Sequence, residues 1–156
     1  MARAHRQDSR GRRMTALPQT AILWPPIALV GLTFIVWVRL YVDRIGELRA
    51  RRIHPQAIAT SHERAAQLRN VQSADNFSNL FEVPVLFYVL CGYLAITGLT
   101  TWLLLACAWG YVFLRALHSW IHLGANTVIR RFQAYVASTA VLYVMWGLFA
   151  VRLLTA

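Results

Sequence analysis

The chain has 156 residues, 58% of them hydrophobic and only 14% charged, against about 25% charged in a soluble domain. Its net charge is +10, all 16 basic residues are arginine, and the isoelectric point is near 11. A basicity of that size would ordinarily raise nucleic acid as a partner. The hydropathy excludes that reading, because the arginines punctuate long apolar segments, where positive charge sets membrane topology and meets anionic headgroups.

Residues 1–20 form a polar arm with Arg3, Arg6, Arg10, Arg12 and Arg13, expected to be flexible. Met14 directly follows Arg13, so a start there would remove all five. The apolar run behind the arm is long and no small-residue cleavage site follows it, which favours an uncleaved anchor over a removed signal peptide. Residues 21–156 are then one membrane domain with helices expected at about 22–42, 77–99, 101–123 and 132–154. Each is 21–23 residues long, close to the ~20 that cross a ~30 Å hydrocarbon core. Lipid admits only helices or closed barrels, and no segment shows the sustained alternation of a barrel strand. The fold expected is an all-α, multi-pass four-helix bundle.

Pro25-Pro26 falls in the opening turn of the first helix, where proline is tolerated. Arg39, near that helix's end, is expected to snorkel toward Asp43, and Arg152 to do so at the opposite face. The connection from 43 to 74 carries six arginines, and His62–Val71 is expected to extend the second helix out of the membrane. The turn Gly98-Leu99-Thr100 is short and uncharged, so the second and third helices form an antiparallel hairpin. The 43–74 connection and the one ending in Arg130-Arg131 share a face, which the positive-inside rule makes cytoplasmic. Cys91 and Cys107 lie inside apolar segments without metal-type spacing, and are expected to be packing residues.

Two polar stripes interrupt the apolar helices. Asp75, Asn79 and Glu82 form one; Arg115, His118, His122 and Asn126 form the other. Their steps of three and four put each on one helix face. Ionisable groups at membrane depth cost a few kcal/mol and mark candidate functional sites. Glu82 lies seven residues beyond Asp75 and Arg115 seven before His122, so each is roughly 10 Å from its end of the stripe. In antiparallel helices the two reach similar depth, and a Glu82–Arg115 ion pair, within or between subunits, is expected. The stripes allow two readings: a polar cavity for an anionic or zwitterionic small molecule, with Arg115, Arg130 and Arg131 as carboxylate clamps, or polar contacts that only assemble the bundle. His118 and His122 are spaced i, i+4, but one such pair is weak grounds for a metal site, and no metal is expected. Ser119 adjoins His118 and cannot face it on a helix.

Asn79-Leu-Phe-Glu82 followed by Pro84 and Phe87, together with Arg115, His118 and His122, resembles the MAPEG family, the membrane-associated proteins in eicosanoid and glutathione metabolism. The resemblance covers about 62–154 and points to a divergent bacterial-type member. It implies a homotrimer of four-helix bundles in the bacterial inner membrane, with a cytosol-facing site between helices. It also implies glutathione as cosubstrate of a transferase or peroxidase acting on a lipophilic substrate. Asn79, Glu82 and Arg115 match the glutathione contacts, His118 and His122 occupy the third helix's two aromatic positions, and Arg130 or Arg131 falls near the thiolate-activating arginine. Gln72 and Asp75 stand where the enzymes place arginine, and the proline comes one residue early.

Overall fold

The structure, a computed structural model, describes residues 17–155, which leaves most of the arginine-rich arm, and Met14, outside the described residues. All regular structure among those residues is helical, and four helices are long and apolar enough to cross a bilayer. Helix α1 is Trp24–Ala50, entered through a 3₁₀ turn at Gln19–Leu23. Short helices α2 (Ser61–Gln67) and α3 (Gln72–Asn79) follow, then α4 (Pro84–Thr97), α5 (Trp102–Leu123) and α6 (Val128–Thr155).

Helix α1 starts with its prolines in the first turn, as its sequence requires. It runs on to Ala50 rather than ending near 42, because i, i+4 ion pairs support its polar end. Arg39 meets Asp43 at 3.0 Å, as expected, and Arg51 meets Glu47 at 2.8 Å. The Glu47 carboxylate also accepts the backbone N–H groups of Arg69 (2.7 Å) and Asn70 (3.0 Å), and Arg51 donates to the Gln67 carbonyl. This network fixes an extended segment after α2, so His62–Val71 is a separate short helix and a link rather than a continuation of the second span.

The second span is not one helix either. Pro84 has no N–H to offer the carbonyl four residues back, and its ring crowds that carbonyl. The ladder therefore breaks at 80–83, with tightened bonds such as Phe81 N–H to Ser78 O (2.9 Å) and Leu86 N–H to Val83 O (3.0 Å). Helix α4 ends on Gly98, whose φ of 71° lies in the left-handed region that glycine adopts freely. Thr101 then caps α5 by accepting the Leu104 N–H at 3.2 Å, completing the hairpin. At the other end of α5, Asn126 turns the chain at φ 46°, and α6 begins at Val128 rather than near 132.

The core joins Leu29 and Val36 of α1, Phe87, Leu90 and Leu94 of α4, Leu104 and Ala108 of α5, and Leu142 and Met145 of α6. Cys91 is buried among them and Cys107 is half-buried; both are free thiols. Phe34, Ile35, Phe113, Trp120, Phe132 and Tyr143 point outward. That belt is unfavourable in water and suits a hydrocarbon surround.

Candidate functional site

The buried face of α5 changes character along its length. Leu104, Ala108 and Tyr111 are followed at the same spacing by Arg115, His118 and His122, all buried. Arg115 has no solvent-exposed surface. Its Nη2 donates to the Asn79 carbonyl at 3.0 Å and to Asn79 Oδ1 at 2.6 Å. The backbone acceptor lies at the break before Pro84, so the arginine satisfies a carbonyl that the interrupted ladder leaves free. Asn79 Nδ2 in turn donates to Glu82 Oε2 at 3.0 Å. Within the chain, the expected Glu82–Arg115 ion pair is thus replaced by a relay through Asn79: Glu82 is exposed in the break itself, while Arg115 stays inside. The guanidinium also lies 5.7 Å from the centre of the Tyr135 ring, within cation–π range.

The two stripes meet around one cavity of about 330 Å³. It is lined by Asp75, Ser78, Asn79 and Glu82 from the second span, His118 and His122 from α5, and Arg131 from α6. Arg115 stands behind this wall, holding Asn79. A smaller hollow of about 250 Å³ adjoins it, sharing Asn79, His118 and Arg131 and adding Phe132 and Tyr135. Arg131 is oriented by its Nη1 bond to Asn126 Oδ1 at 2.7 Å. Arg130 is exposed and lines neither hollow. Gln72 opens α3 and lies outside the cavity.

His118 Nδ1 lies 3.0 Å from the Arg131 carbonyl. A carbonyl only accepts, so Nδ1 carries the proton and Nε2 is an acceptor in the neutral ring. The His122 ring stands 5.6 Å from that of His118 at 82°, an edge-to-face contact. Among the described residues, His118 Nε2 and His122 Nδ1 have no hydrogen-bond partner, nor do Arg115 Nε and Nη1. Among the described residues, no three His, Cys, Asp or Glu side chains are grouped to hold a metal ion.

One buried contact and one further buried polar residue lie outside the stripe pattern. Ser119 Oγ donates to Asn76 Oδ1 at 3.1 Å, and Ser73 lies one turn before Asn76, also buried. Ser73, Asn76 and Leu80 step by three and four, so they form a face of their own beside the Asp75–Asn79–Glu82 face. A weak signal was available in that spacing, but serine and asparagine carry no charge to draw attention to it.

No curated protein and no solved structure matches this chain. The MAPEG family model does match it, over residues 22–151, from the first span to the last turns of the fourth. The four apolar helices agree with that match. The chain therefore belongs to the MAPEG family, and it is an integral, multi-pass membrane protein.

Proposed function

We propose that the cavity between α3, α5 and α6 binds a thiol tripeptide of the glutathione type, and that the protein is a glutathione-dependent transferase or peroxidase acting on a lipophilic substrate. In this reading the protein is a homotrimer in a bacterial inner membrane, with the connection ending at residue 74 on the cytoplasmic side. The observation that carries it is the convergence of Asn79, Glu82, His118, His122 and Arg131 on one cavity at the arginine-rich end of the bundle. Asp75 and Glu82 supply carboxylates for the ammonium of a zwitterion, and Arg131 supplies a cation for its thiol. A guanidinium beside a thiol favours the thiolate, the nucleophilic form. Arg115 acts indirectly, by holding Asn79 in the cavity wall. Of the two arginines that open the fourth helix, the role at the thiol goes to Arg131, since Arg130 points away from the cavity.

Conjugation of glutathione to a chlorinated nitroaromatic by the purified protein tests this. Arg131→Ala should lower kcat/KM by roughly a hundredfold, the cost of losing one donor to a developing anion, whereas Arg130→Ala should leave it within a factor of about two. Absence of both glutathione binding and turnover in the wild type would sink the enzyme reading. A second reading then stands, favoured by the two bonds that Arg115 makes at the helix break: a non-catalytic membrane protein whose buried polar groups only assemble the bundle. It requires that Arg115→Ala unfold the protein and that no thiol peptide restore it.

A further inference from the structure

Across α3 from the polar cavity lies a larger one, of about 490 Å³, that the proposed chemistry does not use. Helix α1 lines it with Trp37, Tyr41 and Arg44, α2 with Arg64, and α3 with Asp75 and Phe77. Trp37, Tyr41 and Arg44 occupy successive turns of one face, so Arg44 sits roughly 10 Å nearer the polar end of the helix than Trp37. The walls are accordingly aromatic at depth and cationic at the level of the connections, the grading of a bilayer interface.

The charges in this cavity are not already spent. The acids of α1 beside it, Asp43 and Glu47, are engaged with Arg39 and Arg51. Neither Arg44 nor Arg64 has an ion-pair partner among the described residues, and Arg44 Nε is buried without a hydrogen-bond partner. Asp75, on the wall shared with the polar cavity, offsets one charge and leaves the pair of arginines with a net positive field.

We propose that this cavity is a binding site for an anionic glycerophospholipid, with the phosphate between Arg44 and Arg64 and an acyl chain along Trp37, Leu40 and Phe77. Arginine forks match phosphate oxygens, and basic pockets between membrane helices select anionic headgroups. The apolar wall below them is the reason to expect a lipid rather than a free anion. The site does not depend on the thiol-peptide reading.

Native mass spectrometry of the full-length, delipidated protein tests it, with dioleoylphosphatidylglycerol, dioleoylphosphatidylcholine and inorganic phosphate as probes. An interfacial arginine contributes roughly fivefold to binding of an anionic lipid. The wild type should therefore retain phosphatidylglycerol at least roughly tenfold better than phosphatidylcholine, and Arg44→Gln/Arg64→Gln should abolish the preference. Arg64→Gln alone, on a short peripheral helix, should lower retention about fivefold, which keeps the test available if the double variant does not fold. Arg69→Gln removes a charge near the same connection but outside the cavity, and should retain the lipid as the wild type does. Equal retention of the two lipids, or an Arg69→Gln loss as large as that of Arg64→Gln, would overturn the proposal. So would millimolar inorganic phosphate raising the melting temperature as much as phosphatidylglycerol does, since that would mark a free-anion site.

Discussion

The two halves of α5 bury the same face of one helix at the same spacing, yet they bury opposite kinds of surface. Toward the Gly98 turn, Leu104, Ala108 and Tyr111 share one apolar core with an unbroken α4, which contributes Phe87, Leu90 and Leu94. The Tyr111 ring stacks on Phe87 with centroids 4.4 Å apart. Toward the arginine-rich end, Arg115, Ser119 and His122 face α3 and the break before Pro84, which offer Asn76, Asn79 and a free carbonyl. The change along α5 matches a change in the opposing segment. A continuous helix satisfies its own backbone and accepts only apolar neighbours, whereas an interrupted one presents polar atoms that must find partners.

The largest way to break this comparison is to remove Arg115. Arg115→Ala strands Asn79 O and Oδ1 and opens a cavity, so unfolding in detergent should show a loss of about 3–5 kcal/mol. A loss below about 1 kcal/mol, within the range of exposed pairs, would mean that the break does not need its cation. In the apolar half, Leu104→Ala should cost about 2–4 kcal/mol through lost packing alone. It should leave ligand binding at Arg131 unchanged. A matching fall in ligand affinity would show that the two halves are coupled and that the division drawn between them is wrong.

Asn76 sharpens the contrast at smaller scale. Asn76→Ala leaves the buried Ser119 hydroxyl without its acceptor and should cost about 1–3 kcal/mol. Replacing both partners, as Asn76→Leu with Ser119→Ala, should recover much of that loss, because two apolar groups leave nothing unsatisfied. If the double variant is as unstable as the single one, then shape rather than hydrogen bonding governs this contact.

The same contrast explains what could be read in advance. The four spans, the Gly98 hairpin, the Arg39–Asp43 pair and the meeting of the stripes follow from hydropathy, turn chemistry and 3.6-residue periodicity, which act locally. That Glu82 and Arg115 do not pair within the chain was not legible, because pairing by charge and depth ignores the backbone as a competitor. Pro84 was visible, but its consequence, a carbonyl at Asn79 open to a side chain 36 residues away, is tertiary. Arg131 could not be told from Arg130 by sequence, since the start of α6 decides which one faces inward. The Glu47 carboxylate that gathers Arg51 and the 69–70 backbone was equally silent, for its partners lie up to 23 residues on.

The water-facing helix α2 supplies the smallest test, and it separates burial from polarity as the cause. There Thr60 and Glu63 form a reciprocal capping box: the Glu63 N–H donates to Thr60 Oγ1 at 3.2 Å, and the Thr60 N–H donates to Glu63 Oε2 at 2.8 Å. That backbone bond, with the Thr60 hydroxyl second, holds the Glu63 carboxyl below its ordinary value of 4.5. A lowered folded-state pKa means that the contribution is complete above the unfolded value and is lost as pH falls through the folded one. Protection factors of the 61–67 amides, referred to the intrinsic exchange rate at each pH, should therefore fall below about pH 4.5, while the α5 amides near Arg115 stay protected, since solvent does not reach that guanidinium. Thr60→Ala should quicken the same α2 amides already at neutral pH. If the α5 amides loosened together with those of α2, the polar half of α5 would be opening to water. Its satisfied contacts would then owe nothing to being buried against the broken span.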